Sequence, residues 1–252
     1  MQLTGNTIFI TGGTSGIGLA LARAFHELGN KVIVAGRRKA LLAEISAAHP
    51  GIDGIELDIA DADDIARVAA ELIAKYPTLN VLVNNAGIMP FDDPSTVVDD
   101  AGSRRILDTN FLGAVRMTSA LVEHLKAQPR ATILYNSSVL AYVPIATNAV
   151  YSASKAAVHS YALSQRFMLR DTSVTVQEIA PPWVDTDLIR KSGDPRAMPL
   201  DAFIEETMRG LATDAPEVFV EGIRAMRNNP GLGEHELVHA FNQSIAENPI
   251  PV

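Results

Sequence analysis

Thr11-Gly12-Gly13-Thr14-Ser15-Gly16-Ile17-Gly18 lies directly between a β-branched apolar run, Thr7–Thr11, and a stretch of helical period, Gly16–Gly29. Leu19, Ala22, Ala24, Phe25 and Leu28 are available for the packed face of that helix. A chain that leaves a strand and enters a helix within so few residues must turn sharply. Glycine has no Cβ, so it permits the turn and also lets a diphosphate approach bare amides at the helix N-terminus. A tight turn by itself would also need glycine. The position in the first strand–turn–helix unit instead points to a phosphate cradle made of Gly12, Thr14, Ser15, Gly16, Ile17 and Gly18.

Outward from this turn the alternation repeats. Lys31–Ala35, a run ending at Ile55–Leu57, Val81–Val83, Thr132–Tyr135 and Val174–Ile179 read as strands, whereas Lys39–Ala48, Asp61–Tyr76, Ala101–Gln128 and Val150–Arg170 read as helices. Strands that are apolar on both faces and separated by helices predict an α/β fold. Its expected form is a doubly wound, Rossmann-like parallel sheet between two helical layers, three layers in all. After Ile179 the pattern changes. Pro181, Pro182, Pro195 and Pro199 punctuate a loop, and the remainder reads as a helical segment around Asp201–Leu211, Glu217–Arg227 and Glu234–Ala246, with no final strand. No repeat, low-complexity tract or linker divides the chain. A single dinucleotide-binding catalytic domain over 1–252 is expected, with the substrate loop and helices at about 182–252.

Composition narrows the function classes. The chain has 252 residues, 47% hydrophobic and 20% charged, which suits a soluble globular protein. No apolar run approaches the ~18 residues that span a bilayer, and the opening residues lack a basic n-region and cleavage site, so no membrane partner and a cytoplasmic setting are expected. The absence of cysteine excludes disulfides, thiolate metal sites and cysteine nucleophiles. With 21 Lys and Arg against 29 Asp and Glu, the net charge of −8 repels polyanions and argues against nucleic acid. A small-molecule substrate remains. No His/Asp cluster at ligand spacing is found, so no metal is expected, and His26, His124 and His159 on predicted helices read as solvated or partly buried.

The end of the second strand, Val34-Ala35-Gly36-Arg37-Arg38, faces the adenosine ribose in a sheet of this kind. An acid there accepts hydrogen bonds from the 2′-hydroxyl of NAD, while arginine holds the 2′-phosphate of NADP. There is no acid from Val34 to Lys39, and Arg37, Arg38 and Lys39 are consecutive cations. A solvated basic loop would explain them too, but cations at a helix N-terminus oppose the dipole, and the planar guanidinium suits phosphate. NADP(H) is therefore favoured over NAD(H).

Tyr151-Ser152-Ala153-Ser154-Lys155 supplies the chemistry. Residues four apart share a helix face, so the phenol and the ammonium can enter one cleft. A free phenol has a pKa near ~10, and bringing it to neutrality takes roughly 4 kcal/mol of differential stabilisation, which a cation can supply. Ser138 ends the fifth strand beside that cleft. Ser137 is its competitor, but adjacent strand residues point to opposite faces. Asn110 lies inside a predicted long helix, where asparagine is a poor helix former unless its side chain has a task.

With these residues in place, the chain resembles the compact short-chain dehydrogenases/reductases over about Asn6 to Leu188. The motifs run in the family's order: the glycine turn, Asp58, Asn84-Asn85-Ala86-Gly87, Asn110, Ser138, and Tyr151 with Lys155. The resemblance implies Tyr151 as catalytic acid/base and Lys155 lowering its pKa and binding the nicotinamide ribose. It further implies that Ser138 positions the substrate oxygen and that Asn110 supports a proton relay. Asp58 would contact adenine, and Ile59, Asn85, Ala86, Gly87, Pro181, Val184 and Thr186 would line the cofactor. Where the family usually has Pro-Gly after the sixth strand, this chain has Pro181-Pro182-Trp183, which makes a stiffer turn. A subset of bacterial members, including those associated with teichoic-acid D-alanylation operons, is similar there. The family's final strand and its Gly-Gly signature are not found.

The expected activity is hydride transfer between NADP(H) and a carbonyl/secondary alcohol pair. Leu140, Tyr142, Ile145, Trp183 and Leu188 are the expected substrate residues, and their apolar and aromatic character suits an apolar or aryl ketone or aldehyde. A 3-oxoacyl reductase acting on a carrier protein is the enzyme alternative, with Lys126, Arg130, Arg166 and Arg170 as its basic patch. A catalytically silent NADP-binding sensor is the other. The family's habits imply a homo-oligomer, a dimer through the two long helices being favoured over a tetramer.

Overall fold

The computed structural model describes residues 1–189, 193–228 and 231–249. Seven parallel strands form one sheet in the order β3-β2-β1-β4-β5-β6-β7. They are β1 (Thr7–Thr11), β2 (Lys31–Gly36), β3 (Ile52–Glu56), β4 (Leu79–Asn84), β5 (Ala131–Asn136), β6 (Val174–Ile179) and β7 (Glu217–Val218). The order reverses between β1 and β4, and right-handed crossovers place helices on both faces.

Side-chain alternation along the strands feeds two cores. On β1, Phe9 faces one layer while Ile8 and Ile10 face the other. The first layer packs α3 (Ala62–Lys75), α5 (Gly113–Lys126) and α6 (Ala149–Met168) through Ile65, Leu72, Met117, Leu121 and Val158. The second packs α1 (Gly16–Glu27), α2 (Lys39–Ala48) and α7 (Leu200–Leu211) through Leu21, Phe25, Ile45 and Phe203. Strands with no polar face are the physical reason that both sides are covered.

Two expectations are corrected. The long helix expected over Ala101–Gln128 is α4 (Asp100–Leu107) joined to α5 by a π-helical turn, Asp108–Leu112. The Glu217–Arg227 segment, expected as a helix, opens with β7, passes through a 3-10 turn at Glu221–Ile223 and ends in α8 (Arg224–Arg227). The final strand therefore exists but is two residues long, pairing Glu178 with Glu217 and Ile179 with Val218. Two residues carry no readable period, so only the neighbouring β6 reveals it. The last helix is α9 (Glu234–Glu247). No described helix is long and apolar enough to cross a membrane.

Candidate active site

The carboxyl ends of β1, β4 and β5 are laced together by side-chain amides and a hydroxyl. Thr11 Oγ1 accepts from the amides of Asn85 and Ala86 at 3.1 and 3.2 Å. Asn85 Nδ2 donates to the carbonyls of Thr11 and Gly12 at 3.0 and 3.1 Å, and Asn136 Nδ2 donates to Asn85 Oδ1 at 2.7 Å. This lacing leaves no room for a Cβ at Gly12 or Gly18. A Cβ on Gly12, whose φ is +66°, would meet Ala86 Cα at 2.7 Å, and one on Gly18 would meet Gly12 O at 2.4 Å. Ser15 precedes α1 without capping it through its side chain, and the first turn carries no acid. The helix N-terminus thus offers amides and a positive dipole to an anion.

One cavity of about 560 Å³ runs along this edge. All the expected cofactor residues line it: Gly12, Thr14, Ser15, Gly16, Ile17, Gly18, Arg37, Arg38, Asp58, Ile59, Asn85, Ala86, Gly87, Tyr151, Lys155, Pro181, Val184 and Thr186. Arg38 reaches back over the turn, 3.2 Å from Thr14 Oγ1 and 3.5 Å from Ser15 Oγ. Arg37 is exposed at the mouth. Asp58 at the end of β3 is held by its neighbours, its Oδ1 accepting from the Ala60 amide at 3.0 Å. A glycine cradle that any Cβ would fill, a free helix N-terminus and two arginines beside it fit a dinucleotide diphosphate with an additional phosphate.

The reactive residues meet beyond the turn. Tyr151 and Lys155 lie one helical turn apart on α6, both buried. The start of α6 is fixed by Asp92, whose carboxylate accepts from the amides of Ala149 and Val150 at 2.8 Å each. Ser138 caps the 3-10 turn Val139–Ala141, accepting from the Leu140 amide at 3.1 Å, and its side chain lies near enough to the Tyr151 hydroxyl to lower the pKa of the phenol. β5 ends at Asn136, short of the expected Ser138, and of the two serines that follow it Ser137 turns away to bond Glu178 while Ser138 lines the cavity beside Tyr151.

Electrostatics at the pair are governed first by burial. Burial pushes the phenol up to about 12, with the Ser138 hydrogen bond acting the other way. Lys155 Nζ is 5.6 Å from the ring centroid and donates instead to the Asn136 carbonyl at 2.7 Å. Burial brings Lys155 down to about 8, opposed by the charge of Glu178.

Asn110 sits in the π-turn, behind the cavity wall rather than on it. Its Oδ1 accepts from the Ile88 amide at 2.8 Å, and its Nδ2 donates to Ile88 O at 3.0 Å and Ser154 Oγ at 3.1 Å. A π-turn re-aims a side chain that regular helix would direct elsewhere, and here it ties β4's loop to α6.

Of the expected substrate residues, Leu140, Ile145, Trp183 and Leu188 line the cavity. Tyr142 does not. It is buried with Val143 and Ala180, its hydroxyl 3.3 Å from Glu178 Oε1 and its ring under the Arg227 guanidinium. Lining residues not anticipated include Ile88, Met89, Ile223, Met226, Phe241 and Ile245. The last four come from the C-terminal quarter. Asn242 clips α9 onto the loop beside Ile145, donating to Pro144 O at 3.0 Å and accepting from the Ala146 amide. Only the spacing of Phe241 and Ile245, one turn apart beside Asn242, could have signalled that face.

His159, Glu178 and Glu217, distant in sequence, bring ligand-type atoms within 4.8 Å of one another. Arg227 already answers Glu217 through two hydrogen bonds, so an internal cation serves this group.

A short chain dehydrogenase family model matches residues 6–197. The uncharacterized oxidoreductase DltE of Bacillus subtilis (strain 168) is 39% identical over 236 residues, 90% of this chain and 93% of that one. The NADPH-dependent 1-acyldihydroxyacetone phosphate reductase of Schizosaccharomyces pombe is 34% identical, over 73% of this chain and 62% of that one. A short chain dehydrogenase from Burkholderia cenocepacia J2315, solved in complex with NADP, superposes with a TM-score of 0.80 at 26% identity over the whole of both chains. With the glycine turn, Ser138, Tyr151 and Lys155 arranged as described, the chain belongs to the short-chain dehydrogenases/reductases and is an oxidoreductase of alcohol and carbonyl groups.

Proposed function

We infer that the protein uses NADP(H) in preference to NAD(H) to reduce an apolar or aryl ketone or aldehyde, or to oxidise the matching alcohol. One observation carries this reading: a continuous cavity begins at Arg37 and Arg38, passes Tyr151 and Ser138, and ends among Leu140, Trp183, Met226 and Phe241. The charged end matches a 2′-phosphate, and the apolar end matches a substrate with little charge. The relative from S. pombe is named for NADPH, and the B. cenocepacia structure holds NADP.

A nicotinamide bound in this cavity would supply or accept the hydride. The chain's own groups handle the proton and the oxygen. With its phenol pushed up to about 12, Tyr151 holds its proton at neutral pH, ready to donate to a carbonyl oxygen. Ser138, beside the same hydroxyl, supplies a second polar contact where negative charge develops. Lys155 is positioned to meet ribose hydroxyls and to stabilise the tyrosinate left after donation. Asn110, through Ile88 and Ser154, holds the wall against which these groups align.

The carrier-protein alternative loses support from the structure. Lys126 pairs with Glu123, Arg130 donates to the Thr4 and Gly5 carbonyls, Arg166 to Val176 and Pro216, and Arg170 to Phe167. A silent sensor would not need the Tyr151–Ser138–Lys155 set. The chain is proposed to work as one catalytic unit over 1–252, in the cytoplasm and as a homodimer.

The test is a turnover screen of ketones, aldehydes and secondary alcohols with NADPH and NADH. Aryl and alkyl ketones should turn over fastest with NADPH, and Arg37→Ala should weaken NADPH much more than NADH. Small charged carbonyls outrunning apolar ones, or equal losses for both cofactors, would overturn the reading.

A further inference from the structure

The catalytic helix carries more than its two reactive residues. Tyr151, Lys155 and His159 follow at four-residue intervals on α6, so the three share one face. His159 Nδ1 lies 2.9 Å from Glu178 Oε2 and 3.1 Å from Oε1. Glu178 is completely buried in β6. Its carboxylate also accepts from Ser137, the neighbour of Ser138, at 2.5 Å and from Tyr142 at 3.3 Å. The carboxylate is thus clamped one helical turn from Lys155, and by the residue beside the substrate-positioning serine.

This arrangement is costly. A buried carboxylate needs every lone pair answered, and Glu178 stands directly opposite Glu217 on β7, a like-charge pair that disfavours strand pairing. The chain answers with cations at the far side. Arg227 of α8 holds Glu217 through two hydrogen bonds and covers the Tyr142 ring at 4.7 Å. Arg166 of α6 lies close enough for its charge to act on Glu217. On the near side Glu178 meets His159, Tyr142 and Ser137, and its charge reaches Lys155. A core position beside Val176 and Ile179 could have been apolar at lower cost, so the charge itself needs a use.

We propose that Glu178 is a positioning residue for the reaction: it is the fixed counter-charge of Lys155, and the Glu178–His159 pair, balanced by Glu217–Arg227, sets the alkaline limit at which the Lys155 ammonium is available to cofactor and tyrosinate. Lys155 donates to the Asn136 carbonyl but has no carboxylate in direct contact among the described residues. Glu178 is the charge that opposes the loss of its proton on burial. The same network reaches the substrate end, because Arg227 adjoins Met226, which lines the cavity. The inference rests on the oxidoreductase reading for what Lys155 does, but the charge coupling is measurable without turnover.

The experiment follows Lys155 directly by NMR of protein carrying [13Cε]lysine, with the resonance assigned from Lys155→Arg, and titrates NADPH by fluorescence over the same pH range. In the wild type, the Lys155 signal should titrate near 8. Glu178→Gln keeps an acceptor but removes the charge, and the Lys155 midpoint should fall by about one pH unit, with the alkaline loss of NADPH binding falling in step. Arg227→Gln, which keeps a donor for Glu217 but removes the charge, should move the midpoint upward, because it leaves the two carboxylates less compensated. Opposite shifts are what a general loosening of structure would not produce. An unmoved Lys155 midpoint in folded Glu178→Gln, or a downward shift in Arg227→Gln, overturns the proposal. A wild type that binds no nicotinamide cofactor overturns the functional reading alone, since the Lys155 titration is read without cofactor.

Discussion

At Tyr151 two effects oppose each other. Burial raises the phenol to about 12, and the Ser138 hydrogen bond pulls it down. The result is an acid that keeps its proton across the neutral range, suited to protonating a carbonyl oxygen as it gains charge. Tyr151→Phe keeps the ring and its packing but removes that proton. Turnover should fall by about 10²–10⁴-fold, while NADPH, held elsewhere along the cavity, should bind within a few-fold of wild type. Steady-state kinetics with the best substrate, paired with a fluorescence titration, check both halves, and a near wild-type rate would remove Tyr151 from the acid role. That Tyr151, Lys155 and Ser138 share one cleft was readable from residue type and spacing, because helix and strand periodicities are local. The position of Tyr142 was not. Its ring follows the 3-10 turn away from the cavity to Glu178, a residue 36 positions later, and no local period reports such a contact.

Among the elements, the β1–α1 turn is the most constrained. Gly18 in the first turn of α1 leaves 2.4 Å between a built Cβ and both Gly12 O and Asn85 Nδ2. Gly18→Ala must therefore displace backbone in the cradle and break the Asn85 lacing that joins β1 to β4. A cost of about 1–3 kcal/mol is expected for this overpacking, together with a loss of NADPH affinity. Thermal melts with and without NADPH separate the two: ligand stabilisation should shrink more than the baseline melting temperature does. An unchanged ligand-induced shift would place the diphosphate elsewhere. The helix around Asn110 shows the limit of periodicity in the other direction. Apolar spacing predicts a single helix across Ala101–Gln128, and the π-turn adds a residue without disturbing the pattern on either side. Asparagine's poor fit to a helix interior was the one local sign of it.

For the whole molecule, one group of exposed apolar residues lies along α6 and at the end of α4. Leu163, Phe167 and Met168 of α6 are exposed, Phe167 by 64% and Met168 by 73%, and Leu107 at the end of α4 is also partly exposed. Apolar side chains exposed along α6 and at the end of α4 suit an isologous two-fold contact. The sheet ends in a strand of two residues, a short edge for a second contact. A homodimer is therefore predicted at micromolar concentration. Leu163→Asp with Phe167→Asp should give a folded monomer by light scattering, with the far-UV spectrum retained. A tetramer that survives both substitutions would locate the interface on the β7–α9 side instead.

The parallel sheet, the two helical layers, the glycine cradle and the Tyr151–Lys155 pair were determined by the sequence itself. Each depends on a repeat of two or of 3.6 residues, or on a glycine where backbone must approach backbone, and these are written within a few neighbouring positions. Only the tertiary structure decided the rest. The C-terminal quarter folds over the substrate end because Asn242 finds the 144–146 loop, and β7 forms because β6 offers an open edge. Glu178, the one charge in β6, gains its meaning from His159 on α6 and from Ser137 and Tyr142 in the segment after β5. A buried charge is tolerable only when partners surround it in space, and partners in space leave no period along the chain.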